Sequence, residues 1–549
     1  MKVLILGGYG TFGGRLARLI ADEPRLTVVI AGRSLAQAEA FCKAEPAKAR
    51  MIPARFDREG DTQAQLAALA PDIVVDASGP FQVYGDPYRL VRAALACGVN
   101  YLDLADGSQF VSGIAQFDAE ARQQGLFVVS GVSSFPVLTA AVVRRLSRGM
   151  ERVEEISGGI APSPYAGVGL NVVRAIAGYA GKPVVLVRDG KAAVGYGLAE
   201  SRRFTIAPPG RVPLGSVRFS LVDVPDLQVL PEQWPGLRAI WIGAGPVPEI
   251  LHRVLNLCAK AVKLKLLPSL SRLAPLMHRA INVLRWGEHR GGMFVAVKGS
   301  GTERTWHMIA EGDDGPFVPS MACEAIIRRC LNGRPPVPGA RPATGDLELE
   351  DYEELFRRRA IHCGVRDDVP ASAPLYRRLL GEAYDTMPPA LRAMHDLNGA
   401  MSVKGEATVT RGTSPLARIA AAIVGFPRAG KNVPLRVDFT VKDGVETWTR
   451  IFDRRAFHST QEQGRGRNEW LVCERFGPLC AGMAFLVEDG KLRLIVRRWS
   501  LFGIPMPRAL APRGDSYEYE ENGRFHFHVE IAHPLTGLIV GYQGWLAPA

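Results

Sequence analysis

The sequence predicts an α/β fold in which an N-terminal doubly wound parallel sheet is followed by a mixed α/β region and a separate β-rich region. Short apolar runs alternate with helical stretches up to Ser130, as is typical of a parallel sheet with helices on both faces. This alternation becomes irregular from about Val153, and strand patterns dominate after residue 400. At 549 residues, the chain is also long for one domain.

The first strand, Val3 to Leu6, leads into a glycine-rich turn, and a helical pattern begins near Arg15. The glycines fit both G-x-G-x-x-G and the looser G-x-x-G-x-x-G. Between a strand and a helix, this spacing predicts a dinucleotide site whose pyrophosphate lies at the helix N-terminus. The predicted contacts are Gly7, Gly8, Gly10, Thr11, Phe12 and Gly13.

The second strand ends at Gly32, and Arg33 and Ser34 follow it. Folds that bind NAD usually carry Asp or Glu here to hold the ribose 2′-hydroxyl. This chain has no acid at that position, whereas Arg33 and Ser34 suit a 2′-phosphate. We therefore predict NADP as the cofactor; the alternative is that Arg33 lies on a solvated loop.

Further strands are predicted over Arg50–Asp57, Ile73–Val75, Asn100–Ala105 and Leu126–Ser130. The loops at their C-terminal ends share the ligand-binding edge of such a sheet. Asp57 is predicted to contact adenine, with a solvated turn as the alternative. The residues predicted to line the nicotinamide are Ser78, Gly79, Pro80 and Phe81.

Asp103 lies in the fifth predicted strand, Asp106 directly follows it, and both are candidate catalytic residues. Either carboxylate would position a substrate or relay a proton, and the alternative for each is capping a turn or helix. Short-chain dehydrogenases use a Tyr-x-x-x-Lys pair for proton transfer, and no tyrosine here has a lysine four residues later. The proton donor is therefore left unassigned.

Several motifs occur together in a fixed order: the glycine turn, Ala31–Ser34, Ala77–Phe81 with Tyr84-Gly85, Tyr101–Asp103 and Gly131–Pro136. Together they resemble the saccharopine dehydrogenase-like oxidoreductase family over about residues 1–365. The resemblance implies a Rossmann domain that binds NADP(H), over 1–135, and a mixed α/β domain that covers the nicotinamide, over 136–365, whose last helices could return to the first domain. Hydride transfer to a carbonyl, imine or activated alkene is the implied activity. The alternative is a non-catalytic dinucleotide-binding sensor or scaffold, possible because fold does not determine function.

The middle region contains an apolar, basic stretch from Leu251 to Trp286, with seven Lys or Arg and no acid. A basic amphipathic helical pair of this kind could lie on an anionic bilayer. The alternative is two ordinary helices with a solvated basic face. Residues Gly333 to Gly345 are rich in Pro and Gly and are predicted to form a connector.

Residues 374–549 are predicted to form the β-rich domain, a curved sheet or barrel crossed by a helix. Motifs such as Glu474–Gly477 and Gly541–Trp545 resemble a domain family of unknown function, over about 374–546, that is often fused behind saccharopine dehydrogenase-like domains. The resemblance implies an architecture and no chemistry. We expect a small-molecule substrate, and this domain leaves open an apolar or carrier-linked one.

Two motifs in this region are interpreted as chance matches. Gly425–Lys431 approximates a P-loop, but a helical run precedes it and Asn432 replaces the Ser or Thr that would bind magnesium. His526 and His528 share a strand face without a completing Cys or acid, so no metal site is assigned.

The composition of the chain indicates its expected cellular location and excludes one class of binding partner. The eight cysteines form no C-x-x-C, which favours a reducing compartment. The net charge of +12 is spread along the chain without basic–aromatic blocks, so nucleic acid is not an expected partner. The first strand leaves no room for a signal peptide, and we expect a cytoplasmic protein with peripheral membrane contact left open.

Overall fold

The computed structural model describes residues 1–79, 81, 84–167, 169–246 and 248–548. Contacts between Cα atoms divide the chain into two compact units. The first comprises Met1–Arg203 and Arg218–His362, and the second comprises Phe204–Val217 and Cys363–Ala549. The division into domains at 1–135, 136–365 and 374–549 stays a prediction.

The first unit contains the predicted parallel sheet. Its seven strands, from one edge to the other, are β15 (Gly339–Pro342), β6 (Phe127–Ser130), β5 (Asn100–Asp103), β4 (Ile73–Asp76), β1 (Lys2–Leu6), β2 (Thr27–Gly32) and β3 (Arg50–Arg55). Every neighbouring pair is parallel. Val3, Leu4 and Ile5 are fully buried, as expected for a central strand covered on both faces.

Helices connect these strands, as the alternating pattern predicts. They are α1 (Thr11–Leu19), α2 (Leu35–Ala44), α3 (Thr62–Leu69), α4 (Arg89–Ala96), α5 (Ser108–Gly113), α6 (Asp118–Gln124) and α7 (Thr139–Leu146). The predicted doubly wound fold is therefore confirmed.

The strand β15 corrects one sequence interpretation. Its residues lie in the Pro- and Gly-rich stretch that was predicted to be a connector. The Ala340 N–H donates to the Asp118 carboxylate at 2.9 Å, and the strand pairs with β6 in parallel register. A four-residue edge strand can form from such a sequence because it needs hydrogen bonds on one side only.

The second sheet is mixed and has seven strands, of which the central five are, in order, β11 (Gly215–Leu221), β12 (Ala239–Ala244), β7 (Glu155–Ala161), β13 (Arg290–Gly299) and β14 (Thr302–Glu311). All but residues 215–217 of these five strands belong to the first unit. The β12–β7 pair is parallel, and the other pairs are antiparallel. A separate hairpin joins β8 (Pro183–Arg188) to β9 (Lys191–Tyr196). The strands β10 (Ser201–Ile206) and β16 (Ile361–Asp367) begin in the first unit and end in the second.

The helices of this mixed region are α8 (Leu170–Tyr179), α9 (Asp226–Gln233), α10 (Glu249–Lys263), α11 (Ala274–Val283), α12 (Val318–Leu331) and α13 (Leu349–Arg357). The basic stretch therefore forms two helices, α10 and α11. In the described part of the chain, every helix is too short or too polar to cross a membrane.

The second unit is built on an antiparallel sheet of eleven strands. They are β17 (Met401–Arg411), β18 (Gly430–Lys442), β19 (Val445–Phe452), β20 (Arg455–Gln463), β21 (Val472–Phe476), β22 (Leu479–Glu488), β23 (Lys491–Leu501), β24 (Ile504–Pro505), β25 (Tyr517–Glu521), β26 (Arg524–His533) and β27 (Gly537–Pro548). Pairing of β22 with β23 closes ten of these strands into a ring and leaves β24 outside it. The sequence-based expectation of a barrel is confirmed.

Three helices belong to this unit: α14 (Leu375–Leu380), α15 (Pro389–His395) and α16 (Pro415–Val424). Tyr376 of α14 and Leu391 of α15 share one apolar core with the ring residues Phe439 and Phe485. The P-loop-like stretch Gly425–Lys431 follows α16 and runs into β18. A helix thus precedes it and a strand follows it, which is the reverse of a P-loop.

The histidines of β26 have ordinary hydrogen-bonding and packing partners. His528 Nδ1 lies 3.0 Å from Gln543 Oε1, and the His528 ring stacks on Tyr517. Within the described residues, no group of three or more His, Cys, Asp or Glu side chains could hold a metal ion.

Candidate functional site

The carboxyl ends of β1 to β5 meet at one edge of the parallel sheet, and a cleft of about 650 Å³ opens there. Ligands bind at this edge of open α/β sheets. Ten predicted site residues line the cleft: Gly7, Gly10, Thr11, Phe12, Arg33, Asp57, Ser78, Gly79, Phe81 and Asp106. Pro80 lies outside the described residues.

The glycine turn after β1 is held close to both neighbouring strands. Gly7 has a φ of +76°, and its N–H donates to the Ala31 carbonyl oxygen at 2.8 Å. A Cβ atom on Gly13 would lie 2.3 Å from the Gly7 carbonyl oxygen. Only glycine allows α1 to approach the turn this closely. Gly8 and Gly13 are buried behind the lining residues.

The helix α1 presents its N-terminus to the cleft. Gly10 is its N-cap residue, with no side chain to bond the free N–H groups, and its first turn has no acid. Thr11 and Phe12 of that turn line the cleft. Free N–H groups and the positive end of the helix dipole favour an anion, so this cradle fits a dinucleotide pyrophosphate.

At the end of β2, Arg33 and Ser34 have different surroundings. Arg33 is exposed and has no ion-pair partner among the described residues. Ser34 caps α2: its Oγ accepts from the Gln37 N–H at 3.3 Å, and its own N–H donates to Tyr9 Oη at 3.1 Å. Tyr9 packs so closely on Gly32 that a Cβ there would lie 2.5 Å from its hydroxyl.

The floor of the cleft contains a buried ion pair that sequence analysis missed. Arg58 Nε donates to Asp76 Oδ2 at 3.0 Å, and these side chains are 6% and 0% exposed. The Arg58 guanidinium lies 3.9 Å from the centre of the Tyr84 ring. Ser78 donates to Asp76 Oδ1 through both its N–H, at 3.0 Å, and its Oγ, at 2.5 Å. The loop predicted to line the nicotinamide is therefore anchored to β4.

One signal could have identified this pair from the sequence. Arg58 and Asp76 both lie at predicted strand ends that share the ligand-binding edge. Their pairing nevertheless depends on side-chain directions that sequence spacing does not define. The other lining residues occupy expected places: Asp57 Oδ1 accepts from the Glu59 N–H at 3.1 Å, and Phe81 packs on Phe110 with ring centres 4.9 Å apart.

The two candidate catalytic carboxyls lie in contrasting surroundings. Asp103 is fully buried and does not line the cleft. Its Oδ1 accepts from the N–H groups of Ala105 and Gly131, at 2.9 and 2.8 Å, and from Ser130 Oγ at 3.0 Å. Burial raises the pKa of Asp103 to about 7, although these hydrogen bonds act in the opposite direction. Asp106, in contrast, is exposed and lines the cleft.

A further part of the cleft is lined by residues of α8, including Leu170, Val172 and Ala175. Tyr179 ends this helix, and burial followed by the charges of Asp106 and Asp223 raises its pKa. This phenol therefore stays protonated near neutral pH. Sequence analysis did not identify it, because α8 comes more than 60 residues after Asp106 in the chain.

The parallel sheet, glycine turn and cleft define the class: an NAD(P)-binding fold of the kind found in oxidoreductases. Residues 3–129 match the family model "saccharopine dehydrogenase NADP binding domain". Residues 387–546 match the model "domain of unknown function (DUF4166)". Both matches confirm the resemblances predicted from the sequence. The chain has no match among the curated proteins.

Solved structures match the chain at low similarity. GenD2 from gentamicin A biosynthesis, in complex with NAD, is 13% identical over 67% of this chain and 97% of its own, with a TM-score of 0.32. Biliverdin reductase from Synechocystis sp. PCC 6803 is 13% identical over 61% and 92%, with a TM-score of 0.29. The WlbA dehydrogenase from Thermus thermophilus is 15% identical over 65% and 92%, with a TM-score of 0.30. At these TM-scores, the similarities carry no argument about function.

Proposed function

We propose that this protein is an NADP(H)-dependent oxidoreductase that reduces a carbonyl, an imine or an activated alkene. One observation carries the choice of cofactor: Arg33 lies on the cleft lining, exposed and without an ion-pair partner among the described residues. A guanidinium with free donors at this strand end suits the 2′-phosphate of NADP. Ser34 supports the same choice, because capping uses its Oγ as an acceptor and leaves its hydroxyl hydrogen to donate.

The remaining lining residues receive roles from their positions. The turn from Gly7 to Gly13 and the N-terminus of α1 would hold the pyrophosphate, and Asp57 would contact the adenine. A bound nicotinamide dinucleotide supplies the hydride. The anchored loop at Ser78, Gly79 and Phe81 would orient the nicotinamide ring, since the Arg58–Asp76 pair fixes that loop to the sheet.

Asp106 is the proposed catalytic carboxyl, because it reaches the cleft. It would position the substrate or relay a proton. Asp103 would act as a positioning residue, since its carboxyl binds the backbone after β6 rather than reaching the cleft. A small-molecule substrate, apolar or carrier-linked, and a cytoplasmic location belong to the same proposal.

The cofactor choice is tested by measuring NADPH and NADH affinities of the Arg33→Ala variant. Loss of a 2′-phosphate ion pair should weaken NADPH binding by about 10- to 100-fold and leave NADH binding nearly unchanged. Arg50→Ala is the matched control, because Arg50 is also exposed but begins β3, at the amino ends of the strands and away from the cleft. Equal losses for both cofactors would refute the assignment.

The activity is tested by following NADPH oxidation against a panel of carbonyl, imine and enoyl substrates. Turnover with any member supports the oxidoreductase, and Asp106→Asn should then lower kcat without weakening NADPH binding. Tight NADPH binding without turnover on any substrate would favour the alternative, a non-catalytic sensor or scaffold. A cofactor-bound structure would next show the size and polarity of the substrate space.

A further inference from the structure

The helix α10 turns two polar side chains inward and leaves an apolar stripe exposed. His252, Asn256 and Ala259 are buried, whereas Ile250, Val254 and Leu257 are 54–66% exposed. Each set has a spacing of three and four residues and therefore forms one stripe along the helix. An ordinary surface helix has the opposite arrangement.

Hydrogen bonds fix this inverted orientation. His252 Nε2 lies 2.9 Å from Ser220 Oγ, and Asn256 Nδ2 donates to Ser220 Oγ and to the Leu198 carbonyl oxygen, both at 2.9 Å. Burial lowers the pKa of His252 to about 4, so the ring is neutral near pH 7. Rotating α10 to bury its apolar stripe would leave these polar groups without partners, which is costly.

Further exposed apolar residues follow α10 in the chain. In the connection to α11, Leu264 and Leu266 are 66% and 73% exposed, and in α11, Leu276 and Val283 are 66% and 76% exposed. Trp286 follows at 46%. Exposed apolar residues in such number mark an interaction site. We call the exposed residues from Ile250 to Trp286 the α10–α11 surface.

The charged side chains within this segment are all basic, since residues 250–287 contain no Asp or Glu. Six exposed basic side chains have no ion-pair partner among the described residues: Lys260, Lys263, Lys265, Arg272, Arg279 and Arg285. Apolar residues among unpaired cations complement an anionic lipid surface, where acyl chains take the apolar groups and headgroups take the charges.

We propose that the α10–α11 surface is a docking site for an anionic bilayer. In a two-fold dimer, the α10–α11 surface of one copy would face the same surface of the other. Both surfaces are basic, so their like charges would repel and weaken the dimer. The bilayer therefore fits the surface better than self-association. The proposal stands independently of the cofactor and of catalysis, because it concerns binding alone.

The test is flotation of the full chain with vesicles of phosphatidylcholine alone and of phosphatidylcholine mixed with phosphatidylserine. We expect binding to the mixed vesicles at low salt, weaker binding at high salt, and little binding to phosphatidylcholine alone. Failure to bind the mixed vesicles at low salt would overturn the proposal.

The apolar contribution is tested with the double variant Val254→Gln/Leu257→Gln, which should weaken binding by about tenfold or more. The matched control is Val337→Gln/Leu535→Gln, whose residues are each 68% exposed and lie outside the surface. Equal binding by both variants would contradict the proposal. Because all four side chains are exposed, the melting temperature should not change, and that measurement identifies any folding defect.

The electrostatic contribution is tested with Lys260→Gln/Arg279→Gln, expected to weaken binding by about 30-fold from two lost charges near the membrane surface. Lys48→Gln/Lys404→Gln removes two other exposed lysines and serves as the control. Sedimentation velocity tests the alternative that a second copy of the chain binds to this surface. The proposal would be overturned if the parent chain formed a dimer, Val254→Gln/Leu257→Gln converted it to a monomer, and no vesicle binding occurred. The surface would then be a contact between two copies of the chain.

Discussion

The parallel sheet and the ten-stranded ring place their buried polar side chains in different roles. At the ends of the parallel strands, Asp76 and Asp103 accept hydrogen bonds from backbone amides of the following loops. In the ring, polar side chains pair with one another: Arg450 Nη1 donates to Ser459 Oγ at 2.8 Å, and Ser459 Oγ donates to Glu474 Oε1 at 2.6 Å. The first arrangement shapes loops around an opening, whereas the second fills an interior.

The ring also pairs its core-facing polar groups with the two helices. His395 of α15 lies 2.6 Å from Glu518, and Tyr376 of α14 donates to Gln461 at 3.1 Å. The rings of Tyr376 and His395 stack with their centres 3.7 Å apart. Changes in the ring should therefore act on stability, and changes at the strand ends should act on ligand binding.

The prediction with the largest expected effect tests whether changes in the ring act on stability. Arg450→Met should lower the free energy of unfolding by about 3 kcal/mol, because it leaves the buried Glu474 without its cation. Urea denaturation would measure this loss, and NADPH affinity should not change. Arg436→Met is the control: it breaks an exposed pair with Asp438 and should cost less than about 1 kcal/mol. A change in the NADPH affinity of Arg450→Met would contradict the statement that the ring acts on stability alone.

The second prediction tests whether changes at the carboxyl ends of the parallel strands act on ligand binding. Gly13→Ala should weaken NADPH binding by about 100-fold, equivalent to about 2.7 kcal/mol, because its Cβ would displace the Gly7 carbonyl and distort the turn. Titration calorimetry measures the affinity. Gly345→Ala adds a Cβ in open space and should bind NADPH like the parent chain. If Gly13→Ala retained full affinity, the close approach of helix and turn would not be needed for binding.

The third prediction concerns the pH dependence of stability, and its effect per pH unit is the smallest of the three. The folded-state pKa of Asp103, about 7, lies above its value in the unfolded chain. Between about pH 4 and 7, the folded state binds a proton that the unfolded state lacks, so this group's contribution falls with rising pH by about 1.4 kcal/mol per pH unit. Asp103→Asn keeps the Oδ1 acceptor and should remove that slope in urea denaturation between pH 5 and 8.

The matched control for this measurement is Asp106→Asn, which changes an exposed carboxyl three residues away. Comparison with it separates the effect of the buried carboxyl from that of removing one acidic charge. A slope for Asp103→Asn equal to that of the parent chain would show that the buried carboxyl titrates equally in the folded and unfolded states.

The sequence predicted elements whose signals are local. Strands such as β1 and β4 are apolar runs, the ligand-binding edge follows from the strand order, and the glycine spacing predicted the turn. The Arg58–Asp76 pair and Tyr179 were missed because their neighbours come from distant segments. The strand β15 was missed because Pro and Gly normally indicate a loop. For α10, periodicity predicted an amphipathic helix but not which stripe faces outward, since hydrogen bonds to Ser220 and Leu198 decide that.

Closure of the ring has a consequence for self-association. An open sheet exposes unpaired N–H and C=O groups along its two edge strands, where other chains can add and aggregate. Pairing of β22 with β23 removes such edges from the ten strands of the ring. The parallel sheet keeps two edges, but β15 has only four residues and β3 carries Pro53, which has no N–H to donate. The ring is thus protected against strand addition by closure, and the parallel sheet by a short edge strand on one side and a proline-bearing one on the other.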